Sequence, residues 1–304
     1  MRCESKMPTE MILRATAAGE RIIAAAGRSA EGEVFGIYAA SVYLTLDRGL
    51  ILCADEKKGR VSFGISMPEE ALRLLCRAAR PGQRFTLTKG ELRLPEAGVC
   101  ISLPRAGEKR LHPPLPPLRR HLWESAFARL DAQKSAGMAP LAGMILRGET
   151  QSGNPLLGRA FAGVRRFLAG FEAENAAGCR EAIQSLLGLG AGLTPSADDL
   201  LTGFFFTWAH YGTKTRLREE LTLFLEETVW ERTTRVSACY LCAAARGEEM
   251  ELLETLLLAL CGVGELAEAM DRLLTVGHSS GGEMAAGLLL GTGEISGWIK
   301  LGVQ

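Results

Sequence analysis

The sequence predicts an α+β protein: a β-rich N-terminal region that is a small barrel or twisted antiparallel sheet, followed by an all-α multi-helix region. Three observations predict it. Short β-branched or alternating runs crowd the first hundred residues, apolar positions recur at helical spacing through the last two hundred, and a proline cluster divides the two patterns. Residues 1–110 are expected to form the β-rich domain, 111–118 the linker and 119–304 the helical domain.

In the first region the expected strands run over Val34 to Ala40, Val42 to Leu46, Leu50 to Ala54, Arg60 to Ser66, Arg84 to Thr88, Glu91 to Leu94 and Gly98 to Leu103. Turn signals at Asp47-Arg-Gly49, Lys57-Lys-Gly59 and Lys89-Gly90 separate them. A helix is expected near Pro68 to Ala79, and an initial helix over about Glu10 to Ala26. The linker, Leu111-His-Pro-Pro-Leu-Pro-Pro-Leu118, excludes both helix and central strand, because proline lacks the backbone donor and restricts the residue before it.

Downstream, helices are expected over 118–136, 156–171, 175–187, 198–211, 217–230, 233–245, 249–260, 265–274 and 282–290. Several are too apolar to carry one buried stripe and must be buried on most sides. With 6% aromatic residues and thirty-five glycines, the core is built from Leu, Ala, Val and Ile with close backbone approaches.

Charge and cysteine usage exclude several function classes. Thirty-five basic and thirty-five acidic residues cancel, and no basic stripe exists, which argues against a nucleic-acid partner. No apolar stretch approaches the roughly 20 residues that span a bilayer, and no signal peptide opens the chain, so a cytoplasmic protein with no membrane partner is expected. The eight cysteines do not form a disulfide framework. Cys239 and Cys242 make the one C-x-x-C, and in an Ala-rich helical stretch they read as core thiols.

The most informative segment is Gly188-Leu-Gly190-Ala-Gly192-Leu-Thr194-Pro195-Ser196-Ala-Asp198-Asp199, which delivers alternating glycines to a helix start. Ser196 with Asp199 has capping-box spacing, and Thr194 followed by Pro195 is the competing cap. The arrangement recurs at Gly277-His278-Ser279-Ser280-Gly281-Gly282-Glu283: a Ser, an acid three residues on and a Gly seven residues on, at Ser196/Asp199/Gly203 and at Ser280/Glu283/Gly287. Two such helices packed at their glycines would bring their N-termini together. The converging amides of Gly190, Gly192, Thr194, Ser196, Ser279, Ser280 and Gly281 would suit an anionic oxygen, while Asp198, Asp199 and Glu283 would hold a cation such as Mg²⁺.

A third segment puts Thr233 or Thr234 on one helical face with Ser237, beside Arg235, as hydrogen-bonding and carboxylate- or phosphate-clamping groups. Among the four histidines His278 alone lies beside a glycine-rich helix start, as an acid, base or polar binding residue. Asp198, Asp199 and His278 are therefore the expected catalytic groups. No Lys follows the glycines and no strand precedes them, which rejects the P-loop and dinucleotide readings.

At these three segments the chain resembles the AllH-like family of bacterial proteins linked to oxamate carbamoyltransferase in allantoin breakdown. Gly188, Gly190, Gly192, Leu193, Thr194, Pro195, Ser196, Asp198 and Asp199, then Thr233, Thr234 and Ser237, then Gly277, His278, Ser280 and Gly281 match its pattern. Ala197 stands where Gly is usual, Ser279 where Thr is usual and Glu283 in place of Asp. The resemblance implies a carbamoyltransferase subunit in purine nitrogen catabolism, binding carbamoyl phosphate, oxamate or an oxalurate-like ureide and acting with companion subunits. A non-catalytic metabolite-binding or assembly subunit is the competing reading.

Overall fold

The computed structural model describes residues 10–104, 115–132, 137–149, 154–212 and 216–299. The chain separates into two compact units, Met1–Lys109 and Arg110–Gln304.

Among the described residues the first unit holds nine strands: β1 (Met11–Arg14), β2 (Ala17–Ala18), β3 (Ala30–Tyr38), β4 (Ser41–Leu46), β5 (Gly49–Asp55), β6 (Gly64–Met67), β7 (Arg84–Thr88), β8 (Glu91–Leu94) and β9 (Val99–Ser102). Helices α1 (Glu20–Arg28) and α2 (Glu69–Ala78) interrupt them. The strand order is β1-β9-β8-β7-β3-β4-β5-β6-β2. Its two outermost strands are separated in sequence only by Ala15 and Thr16, whose N–H groups bond to Ser102 O on one side (3.0 Å) and Ser66 O on the other (2.8 Å). The sheet therefore curls until its edges meet, a barrel-like closure that hides edge hydrogen-bonding groups. Ile22, Leu44, Ile51, Ile65, Met67, Leu75, Phe85 and Leu92 fill its core.

Two expectations need correction here. The initial helix over Glu10 to Ala26 is two strands and a helix beginning at Glu20. The Met11-Ile-Leu13 run suits either structure locally, and pairing with Val99–Ile101 decides it. The sheet is also mixed, since β1 pairs with β9 and β5 with β6 in parallel.

In the second unit the described helices are α3 (Arg120–Ala132), α4 (Pro140–Leu146), α5 (Pro155–Glu172), α6 (Ala176–Leu186), α7 (Ser196–Tyr211), α8 (Arg216–Arg232), α9 (Arg235–Arg246), α10 (Glu251–Leu260), α11 (Leu266–Leu274) and α12 (Ser280–Ile295). Helix α4 was not foreseen. Of the proline cluster, residues 111–114 lie outside the described residues, and residues 115–119 carry no regular structure.

Helices α7 and α12 form the centre. Every residue from Ser196 to Trp208 and from Gly281 to Gly293 is buried. They run parallel and cross at glycine. A Cβ on Gly203 would lie 2.0 Å from Met284 O, and one on Gly287 would lie 1.8 Å from Leu200 O, so the backbones meet with no side chain between them. The contacts are reciprocal: Gly203 faces Met284 and Leu288, while Gly287 faces Leu200 and Phe204, the same positions one repeat apart. Phe167, Phe171, Phe204, Phe205 and Trp208 pack edge-on or tilted along the flank of α7. Trp123 Nε1–H donates to Leu289 O (2.8 Å), holding α3 to α12.

Candidate functional site

Because α7 and α12 are parallel, their N-termini lie at the same end of the unit, where their positive ends add. Neither start is capped as the serine spacing suggested. Pro195 precedes α7 and Ser279 precedes α12, and neither side chain bonds to the helix amides as a cap. Ser196 and Ser280 instead occupy the first helical position. The Asp198 and Asp199 N–H groups share Pro195 O (2.9 and 3.2 Å), so the backbone takes the first-turn amides that a serine cap would have taken.

Asp198 is completely buried and acts as a clasp. Its Oδ1 accepts from Gly188 N–H (2.9 Å) and its Oδ2 accepts from the Thr233 hydroxyl. One carboxylate thus joins the start of the glycine loop to the approach of α9. Thr234 adds a second stitch: its hydroxyl donates to Leu193 O and accepts from Ser237 N–H (3.0 Å), capping α9. Gly188, at φ +74°, sits where a Cβ would strike Arg232 O at 2.6 Å, so the loop needs glycine there to lie against the end of α8. Gly190 makes a similar close approach to Ser196 N, and Gly192, at φ +95°, faces open space.

The far end of the loop is tied to α12. Thr194 Oγ1 and Ser280 Oγ are hydrogen-bonded at 3.0 Å, which brings the first and third motif segments into contact. Asp199 lies against both hydroxyls; it is 1% exposed, and among the described residues its Oδ2 has no hydrogen-bond partner. Glu283 is also fully buried, but its oxygens are engaged: Oε1 accepts from Met138 N–H (2.9 Å) and Oε2 from the Ser279 hydroxyl (3.2 Å). A Cβ on Gly281 would strike Leu273 O at 1.9 Å, so this residue serves close packing of α12 on the end of α11.

Electrostatically the junction is unusual. Three buried acids meet two helix N-termini, and among the described residues no Lys or Arg pairs with any of them. Burial pushes the Asp199 carboxyl well above the usual carboxylate range, against the opposing pull of the Ser280 hydroxyl. Nearby Glu283 and Asp198 push it further up. Asp198 is raised too, again by burial, with the hydrogen bonds from Thr233 and Gly188 working against it and the Ser237 hydroxyl close by. Among the described residues no group of three His, Cys, Asp or Glu side chains is placed to hold a metal ion. Asp198, Asp199 and Glu283, whose spacing suggested a Mg²⁺ site, do not converge on one point. Each is turned to different partners, because successive helical residues point about 100° apart.

Of the other expected residues, Thr233, Thr234 and Ser237 join the junction, while His278 and Arg235 are exposed. No hydrogen bond among the described residues links His278 to the acids. Sequence reasoning missed Thr202, a buried hydroxyl four residues after Asp198 and thus on its face of α7, and Met138, whose backbone holds Glu283. The spacing could have revealed the first. Cys239 and Cys242 are buried on α9 and form no disulfide, as expected. No helix among the described residues is long and apolar enough to cross a membrane.

Residues 186–292 match the family model described as the oxamate carbamoyltransferase subunit AllH. The matched segment runs from the last residue of α6 into α12, includes all three motif segments, and makes the chain AllH-like there. No solved structure matches the chain.

Proposed function

We propose that this chain is a subunit of an oxamate carbamoyltransferase-type enzyme that works with companion subunits. In this reading the α7–α9–α12 junction binds a small anionic metabolite of the carbamoyl phosphate, oxamate or oxalurate class. The observation that supports it most is the stitching of three sequence-distant segments into one polar junction through Gly188–Asp198–Thr233, Thr234–Leu193 and Thr194–Ser280. The helix starts and the loop amides from Gly190 to Ser196 take the phosphate or carboxylate end. Carbamoyl transfer needs mainly orientation and oxyanion stabilisation, both of which a fixed set of amides and hydroxyls supplies. The difficulty of placing acids beside an anion is eased by burial, which favours the uncharged form of Asp199.

The test is turnover of carbamoyl phosphate and oxamate with and without the companion subunits, comparing the wild-type chain with Thr194→Val and Ser280→Ala. The reading expects turnover only in the complex, and at least a tenfold loss in kcat/KM in each variant, on the order of one lost hydrogen bond to a charged group. Unchanged turnover in both variants would refute it.

A non-catalytic assembly or metabolite-binding role draws support from one observation. All the oxygens of Asp198 and Glu283 are already used to hold the protein's own backbone and hydroxyls. That role predicts variants that lose subunit co-purification while the remaining complex turns over normally.

A further inference from the structure

Buried and half-buried hydroxyls on the helices of this unit follow a habit. Thr207 bonds back to Gly203 O (3.0 Å), Thr292 to Leu288 O (2.9 Å) and Thr255 to Glu251 O (2.7 Å), the usual way a helical Thr satisfies itself. Thr202 and Ser237 break it. Each is 1% exposed, and among the described residues neither hydroxyl has a hydrogen-bond partner. The Oδ2 of Asp199 shares that state. Buried polar groups are almost always paired, so three unpaired oxygens in one neighbourhood mark a place made for something else.

They do share a neighbourhood. Asp198, Asp199 and Thr202 lie on one arc of α7 by i, i+3 and i+4 spacing, and the Ser237 hydroxyl stands beside the Asp198 carboxylate. The chemistry of the set is specific. It offers one carboxyl oxygen as acceptor and two hydroxyls as donors, and among the described residues no Lys or Arg pairs with Asp199. That set suits a group carrying an N–H donor and a carbonyl acceptor together. Burial favours an uncharged Asp199, whose carbonyl oxygen can accept an N–H without repelling an anionic group elsewhere on the ligand.

We propose that Asp199, Thr202 and Ser237 form a subsite for a primary amide or carbamoyl group, with Asp199 accepting its N–H and the two hydroxyls donating to its carbonyl oxygen. This rests on the reading of the junction as the ligand site. It also reverses one sequence expectation, because the acids face the neutral end of the ligand, and the helix starts and glycine loop face the anionic end. Both carbamoyl phosphate and oxamate carry such a group, so the source is left to the experiment.

The test is equilibrium binding by calorimetry, on the full chain and on its complex with companion subunits, using two matched pairs. Carbamoyl phosphate against acetyl phosphate, and oxamate against pyruvate, each exchange only an amino group for a methyl. The proposal expects the amino member of at least one pair to bind about tenfold tighter or more, since a site built to bond an N–H rejects the analogue that lacks it. The pair that shows the preference identifies the source. Asp199→Leu is expected to bring that ratio to about one, whereas Thr202→Val and Ser237→Ala weaken both members alike and keep the ratio. Equal binding of both members in both pairs by the wild-type protein, as water filling the subsite would give, overturns the proposal and leaves the site reading standing. A preference that survives Asp199→Leu also overturns it. No binding by any of the four probes removes the site reading and this inference together.

Discussion

Gly203→Ala tests the crossing on which the junction depends. The added methyl carbon would lie 2.0 Å from Met284 O and 2.7 Å from Leu288 N, both backbone atoms that cannot rotate away. Ordinary contact begins near 3.4 Å, so α7 and α12 must part by more than an ångström along much of their length. Overpacking of a tight core costs about 1–3 kcal/mol, and a clash against backbone belongs at the upper end. The helix-propensity gain of alanine over glycine, about 1 kcal/mol, opposes it. The net expectation is a loss of about 2 kcal/mol, which for a unit of this size lowers Tm by roughly 4–8 °C. Gly158 in α5 is the matched control, since nothing lies within 4 Å of a Cβ built there. Gly158→Ala keeps the propensity gain without the clash and raises Tm. Urea midpoints and thermal scans of both variants decide the matter. If Gly203→Ala is as stable as the wild type, or if the two substitutions act in the same direction, the close-crossing argument is wrong.

The remaining predictions concern charge and the clasp. Asp198→Ala strands the Gly188 N–H and the Thr233 hydroxyl, costing about 1–3 kcal/mol, and hydrogen exchange across 188–194 should accelerate; unchanged exchange would mean the loop is held some other way. Glu294, near the end of α12, is pushed up from 4.5 to about 7 by burial and then by Glu172. The folded state therefore keeps a proton that the unfolded chain has already released, and stability falls as pH rises from 4.5 to about 7. Glu294→Gln should flatten that fall in urea midpoints, and an unaltered slope would clear Glu294 of responsibility.

Much of the β-rich unit was legible because its turns announce themselves: Asp47-Arg-Gly49 and Lys89-Gly90 both connect strands where the sequence placed them. What escaped was non-local. Nothing near Met11 says that its partner is Val99, and without that partner an apolar run of three reads equally well as helix. The same limit applies to the site. The repeated Ser, acid and Gly spacing revealed two helices that meet at their starts, and the glycines at the seventh position do make the contact. Which of two adjacent aspartates would clasp the backbone and which would stay open was not readable, because that depends on whether α9 or α12 lies on a given side of α7. The capping role of the serines was also misjudged, since Pro195 O receives both aspartate amides and the serines move one place into their helices.

The sheet that meets itself at Ala15 and Thr16 bears on how the first unit comes together in time. β2 finds its partner at Ile65–Ser66, but β1 finds its partner only at Val99–Ser102, so the first strand waits for the last to be synthesised. Loops this long close slowly, because their entropy must be lost before pairing compensates it. Until residue 102 leaves the ribosome, β8 and the opening strands have unpaired edges, and a chain stopped before β9 is a ready template for strand exchange with its neighbours.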